Sequence, residues 1–146
     1  MNLFFGMAVA VALFQADPVP PDNGWTWSLY VNGGPVVLAN EVPDTPHLRT
    51  TFECQAGLDR VRLTQYNSAG TGPGPARLAS GRIEEEVEGE VQGDRWQTSL
   101  DASQPVFRAF VASGQLTLKL QDGPRQVTLD RASLPRLRRF ADLCTG

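Results

Sequence analysis

Histidine, lysine and cysteine are all scarce in this chain: His47 and Lys119 stand alone, and Cys54 and Cys144 are the only cysteines. Each scarcity excludes some chemistry. Nucleophilic catalysis by serine or cysteine needs a base, and His47 is the only imidazole to supply one. It lies in the Pro-bounded stretch PDTPH, close in sequence to Asp44 and Glu41. Two cysteines bonded to each other leave no thiol nucleophile and no thiolate ligand for zinc. The glycine-rich GTGPGP (Gly70 to Pro75) is not followed by Lys-Ser/Thr, and its prolines remove amide donors, so it is no phosphate loop. Positive charge is short as well. Thirteen basic residues against sixteen acidic ones give a net charge of -3, the wrong sign of field for nucleic acid. No cofactor is expected.

What is present is enough for one folded domain and too little for two: 146 residues, 41% hydrophobic and 20% charged. The first residues bear on compartment. LFFGMAVAVALF (Leu3 to Phe14) is an unbroken apolar run of twelve. A membrane-spanning helix needs roughly 18–20 residues, whereas a signal-peptide core needs about this length. Small residues at Ala10, Ala12 and Ala16 offer cleavage after Ala16 or after Ala12. The expected organisation is a signal peptide over 1–16, a Pro-rich lead-in over 17–24 and one domain over 25–146, in the periplasm or secreted, with no transmembrane segment once the leader is removed. Thiols persist as disulfides in oxidising compartments. Two cysteines have one intramolecular pairing, Cys54 with Cys144. It would close a loop of about 90 residues, for which chain entropy gives up to about 4–5 kcal/mol.

Along the domain, period-two patterns dominate. WTWSLYVN puts Trp25, Trp27, Leu29 and Val31 on one face, NGG (Asn32 to Gly34) turns, and PVVLANEV returns. LRTTFEC places Leu48, Thr50, Phe52 and Cys54 together, and RVRLTQY follows with Val61 and Leu63 inward. NSAGTGPGPA (Asn67 to Ala76) predicts a mobile loop. RLASGRIEEEVEGEVQGDRW predicts one irregular strand at a sheet edge, with Gly89 at a bulge. The period then changes: Val106, Phe107, Phe110 and Val111 recur at helical spacing, with Ser103 as cap, Pro105 in the first turn and Gly114 at the end. QLTLKL and RQVTLD are two further strands. SLPRLRRFADLC is a closing helix with Leu134, Leu137, Phe140, Ala141 and Cys144 on one stripe. The predicted class is α+β: a mostly antiparallel sheet of about seven strands with two short helices packed on one face, in the order β-β-β-β-β-α-β-β-α.

Two surfaces stand out as candidates for contact. On a strand, Glu84, Glu86, Glu88 and Glu90 of EEEVEGE point one way and present carboxylates to a basic partner or a hard cation. The same charges also serve as a solvated edge that discourages aggregation. Trp96, beside GDR, is expected to be the exposed tryptophan and so joins the four glutamates as a candidate partner-binding residue. Arg136, Arg138 and Arg139 form the outer face of the last helix, suited to its dipole or to an anionic surface.

The order of a Trp-bearing first strand, a strand ending in cysteine (LRTTFEC), the helix-then-strand FRAFVASGQLTLKL and the closing LPRLRRFADLC resembles small periplasmic proteins of Gram-negative bacteria. It is similar to the type VI secretion-associated VasI-type family and, more distantly, to invasion-associated locus B-like proteins. The resemblance implies a disulfide-bonded, non-enzymatic periplasmic domain, and only Cys54 and Cys144 carry over as matching positions. The sequence therefore predicts an exported accessory or binding module without catalytic activity, with a protein partner in the periplasm. The alternatives are an inhibitor of a secreted hydrolase acting through the Asn67–Ala76 loop, or a small hydrolytic enzyme using His47.

Overall fold

The computed structural model describes residues 24–146. The signal-peptide and lead-in expectations for residues 1–23 lie outside the described residues. Nine strands form one sheet: β1 (Thr26–Tyr30), β2 (Val36–Glu41), β3 (Leu48–Cys54), β4 (Arg60–Gln65), β5 (Gly74–Ser80), β6 (Ile83–Gln92), β7 (Arg95–Asp101), β8 (Gln115–Leu120) and β9 (Gly123–Thr128). Helix α1 (Pro105–Ser113) lies between β7 and β8, and α2 (Leu134–Cys144) closes the chain. All neighbours are antiparallel in the order β1-β2-β3-β4-β7-β6-β5-β8-β9, and the sheet curls into a half-barrel.

This corrects the predicted fold class in strand count and order. The structure is a predominantly antiparallel β-sheet protein, 49% strand against 17% helix among the described residues, with seven strands before the first helix rather than five. The difference falls in one place. The stretch taken as a single irregular edge strand is three strands, β5, β6 and β7. They are separated by turns in which Gly81 (φ 59°) and Gly93 (φ 60°) adopt left-handed backbone, a conformation that costs glycine little. Nor is the acidic strand an edge, since β6 lies between β5 and β7.

Strand β6 changes partner along its length. Ile83 to Gly89 pair with β5, and Glu90 to Gln92 pair with β7, so β6 links the two halves of the sheet. The switch falls at Gly89, where a Cβ would overlap the indole of Trp96. The glycine is there because a tryptophan ring occupies the space of its side chain.

The core sits on the concave side. Phe52, Leu38, Leu63, Leu78, Phe110, Leu116 and Phe140 are fully buried there, each contributing about 1.5–3 kcal/mol of apolar transfer. Phe52 is central: its ring stacks on Phe110 at 5.1 Å and meets Phe140 edge-on at 6.3 Å. Helix α1 starts with Pro105 and stops at Gly114 (φ 74°), whose N–H donates to the Phe110 carbonyl. The residue before it is Gln104, not the expected Ser103, and the Gln104 side chain bonds the Asp101 N–H and Glu85.

Cys54 and Cys144 are disulfide-bonded, with Cα atoms 5.8 Å apart. The bond ties the end of β3 to the end of α2. Backbone hydrogen bonds repeat the tie: the N–H groups of Gly57 and Asp59 donate to the carbonyls of Leu143 and Cys144, at 3.0 and 2.9 Å. The β3–β4 turn thereby satisfies carbonyls that the helix end leaves open. Among the described residues no helix is long and apolar enough to cross a membrane.

Candidate functional site

The inward positions of β2, β3 and β4 form three cross-strand rows. At the disulfide end the row is Val36, Cys54, Val61 and Leu100. The middle row is Leu29, Leu38, Phe52, Leu63 and Thr98. The third row is Trp27, Asn40, Thr50, Gln65 and Trp96. It keeps the same side of the sheet but is polar, with a tryptophan at each end. The Thr50 hydroxyl donates to Gln65 Oε1 at 2.8 Å, and Asn40 Nδ2 to the Thr26 carbonyl at 3.3 Å.

A cleft of about 920 Å³ opens over the Asn40, Thr50 and Gln65 part of this row. Its walls come from β1 on one side and β9 on the other, the two end strands of the sheet. Among the described residues no ladder joins these strands; Trp27 Nε1 donates instead to the Thr128 carbonyl at 3.0 Å. Charge is supplied by Arg49, Arg136 and Asp130. Arg49 reaches the cleft from the β2–β3 bulge and lies 4.0 Å over the Trp25 ring, a cation–π contact. Asp130 holds the entry to α2, accepting from the Ser133 N–H at 3.1 Å. The Trp25 indole N–H is sealed from solvent and has no hydrogen-bond partner among the described residues. An orphaned buried donor costs about 1–3 kcal/mol.

The residues singled out from sequence fall elsewhere. Glu84, Glu86, Glu88 and Glu90 do share the exposed face of β6. Glu84 is engaged by Lys119 at 3.1 Å and Arg77 at 3.4 Å, and these bonds, Lys119 first, hold its carboxyl below the usual glutamate value. Glu86, Glu88 and Glu90 border a second cleft of about 470 Å³, opposite Arg60 and Arg62, where β6 parts from β7. Among the described residues no group of three His, Cys, Asp or Glu could hold a metal ion. Trp96 corrects its expectation: it is 1% exposed, so its ring belongs to the core against Gly89 and is withdrawn from the candidate contact surface.

His47 is half-buried and does not line either cleft. Neither of its proposed carboxylate partners reaches it: Glu41 accepts the Tyr30 hydroxyl, and Asp44 is exposed in the turn. The Asn67–Ala76 segment is anchored rather than free. Ser68 and Thr71 are buried, the Thr71 hydroxyl bonds Asp122, Gln121 Nε2 donates to the Pro73 carbonyl, and Gly74 already begins β5.

Sequence inspection placed Thr50 inward but passed over Asn40, Gln65 and Arg49. The available signal was the interruption of an apolar inward face: Leu38 then Asn40, Leu63 then Gln65, Phe52 preceded by Thr50. Trp25, expected in the core with Trp27, instead lines the cleft. Comparison with protein-family profiles, with curated proteins and with solved structures returns no match.

Proposed function

We propose that the protein is an exported, non-catalytic binding module of the periplasm that holds a polar ligand in the cleft between β1 and β9. The observation that carries this is the polar row Asn40, Thr50 and Gln65 at the mouth of an otherwise apolar concave face, beside the orphaned Trp25 N–H. Asn40 and Thr50 each donate one hydrogen bond, to the Thr26 carbonyl and to Gln65, and the remaining capacity of the two amides is available to a polar ligand in the cleft they line. The leader-like LFFGMAVAVALF and the disulfide support export, and the resemblance to VasI-type proteins supports an accessory role rather than catalysis.

Purification from a periplasm-producing host under native conditions tests both halves. The expected result is a mature mass lacking the leader, and in native mass spectrometry a bound species that the Asn40→Ala/Gln65→Ala protein no longer carries. Retention of the leader in cytosolic material would sink export. Equal adducts on wild type and variant would sink the cleft.

A second contact is proposed on β6, for a basic protein partner. Glu86, Glu88 and Glu90 are exposed and, unlike Glu84, bond to no other side chain among the described residues. Glu86→Gln/Glu88→Gln/Glu90→Gln should lose any partner captured by wild type; identical capture would remove this surface from consideration.

A further inference from the structure

Helices α1 and α2 lie side by side and antiparallel. Near the disulfide, the start of α1 and the end of α2 meet at one residue. The Ala102 N–H donates to the Asp59 carbonyl at 2.8 Å, and the Asp59 N–H to the Cys144 carbonyl at 2.9 Å. At the far end Gly114, which stops α1, lies against the side chain of Leu134, which begins α2. A groove of about 510 Å³ follows the seam between the helices. One stripe of α1 lines it with Phe107, Arg108, Val111 and Ala112, and one stripe of α2 with Arg138 and Ala141. Counting inward from the two matched ends sets Arg108 and Arg138 at about the same level, one on each wall. Apolar side chains continue beyond them both ways: Ala102 toward the disulfide, Val111 and Ala112 away from it.

Both guanidinium groups are exposed, and neither forms an ion pair among the described residues. No carboxylate lines the groove, and Asp142, one turn along α2 from Arg138, does not pair with it. Two like charges facing each other over an apolar floor, in a chain of net charge -3, are complementary to an anion set between them. We propose that the groove seats an amphipathic helix of a partner protein, with an acidic residue between Arg108 and Arg138 and apolar residues a turn away on either side. The walls choose a helix over a strand. Helices α1 and α2 bond their backbone groups internally and offer an extended peptide none, whereas a helix brings its own hydrogen bonds. The charge position chooses it over a lipid, which carries its charge at one end, while here the arginines sit between two apolar stretches. Nine and eleven residues make walls about 14 and 17 Å long, room for about three turns. The small side chains of Ala112 and Ala141 permit close approach of a third helix. This surface is separate from the cleft between β1 and β9 and does not depend on it.

The test uses the full mature protein and two probes: a displayed library of amphipathic helices about three turns long, and vesicles of phosphatidylglycerol. The library varies one central position freely and apolar residues a turn to either side. The expected result is enrichment of Asp and Glu at the centre. Arg108→Gln/Arg138→Gln should weaken the selected helix by about tenfold. Arg108→Glu/Arg138→Glu should reverse the preference and select Lys or Arg at the centre, a gain that misfolding cannot mimic. Ala112→Trp, at an exposed position, fills the groove and should abolish binding. Asn40→Ala/Gln65→Ala should leave it unmoved. No enrichment, enrichment blind to the central charge, or equal binding by the glutamine variant would overturn the proposal and leave the cleft reading standing. Loss of binding in Asn40→Ala/Gln65→Ala would place the peptide in the cleft and overturn the groove. Vesicle binding lost in Arg108→Gln/Arg138→Gln, with no helix selected, would overturn the helix in favour of a lipid.

Discussion

The two ends of the concave face are built by the same strands and do opposite things. At the disulfide end, Val36, Cys54, Val61 and Leu100 are all at most 4% exposed. Two residues further along each strand beyond the middle row stand Asn40, Thr50 and Gln65, under a cleft. The first end is closed by α2, the disulfide and two backbone bonds from the β3–β4 turn. The second, among the described residues, has strand edges without a ladder and a buried donor without an acceptor. The contrast shows how one sheet can concentrate its stability at one end. Apolar burial and a covalent staple hold one end, so the other can keep polar groups at inward positions that a packed core would not tolerate.

The largest expected effect comes from cutting the staple. Cys54→Ser/Cys144→Ser should lower unfolding stability by up to about 4–5 kcal/mol in urea titration, because the bond spans 90 residues of chain. An unchanged midpoint would mean that the closed end owes its stability to packing alone. Next is Phe52→Ala, which empties the position shared by Phe110 and Phe140 and should cost about 3–5 kcal/mol. Two residues away on the same face, Thr50→Ala removes one hydrogen bond to Gln65 and should cost only about 1 kcal/mol. Similar losses for the two would erase the distinction between the ends.

Gly89→Ala should cost about 1–3 kcal/mol by forcing the Trp96 indole aside at the point where β6 changes partner. Adding Trp96→Phe should make the pair less than additive, measured by a double-mutant cycle. Full additivity would show that the ring is not what demands glycine. A smaller change sharpens the comparison away from both ends. The Thr71 hydroxyl, and then Arg125, hold the Asp122 carboxyl below its ordinary value of 3.8. A depressed carboxylate stabilises the fold above its unfolded value, and that contribution is lost as pH falls through the lower folded value. Carboxyl NMR should place the Asp122 midpoint below 3.8, moving up in Thr71→Val; a midpoint at 3.8 in both proteins would remove the contact that anchors the Gly70–Pro73 segment.

Much of the fold was legible because local pattern and burial agree. Period-two alternation located β1 to β4, β8 and β9, and the helical spacing of Val106, Phe107 and Phe110 located α1. The region from 74 to 101 was not legible. Two glycine turns are short, and EEEVEGE carries the charges of an edge strand although it lies inside the sheet. Its exposed face is the outer one, and it pairs with its own sequence neighbours β5 and β7 through the two short turns that the pattern passed over. Trp96 was misplaced for a similar reason: its polar neighbours suggest a surface, but the space vacated by Gly89, seven residues earlier, is what buries it.

By itself the sequence determined the cysteine pairing, the two helices and the inward faces of most strands, since these depend on counting and on short-range periodicity. The tertiary structure alone decided which strand lies beside which, that Asn40, Thr50 and Gln65 fall in one row, and that β1 and β9 face each other across a gap. Those are properties of register and curl. They arise when strands far apart in the chain choose partners, and no local pattern of residues encodes that choice.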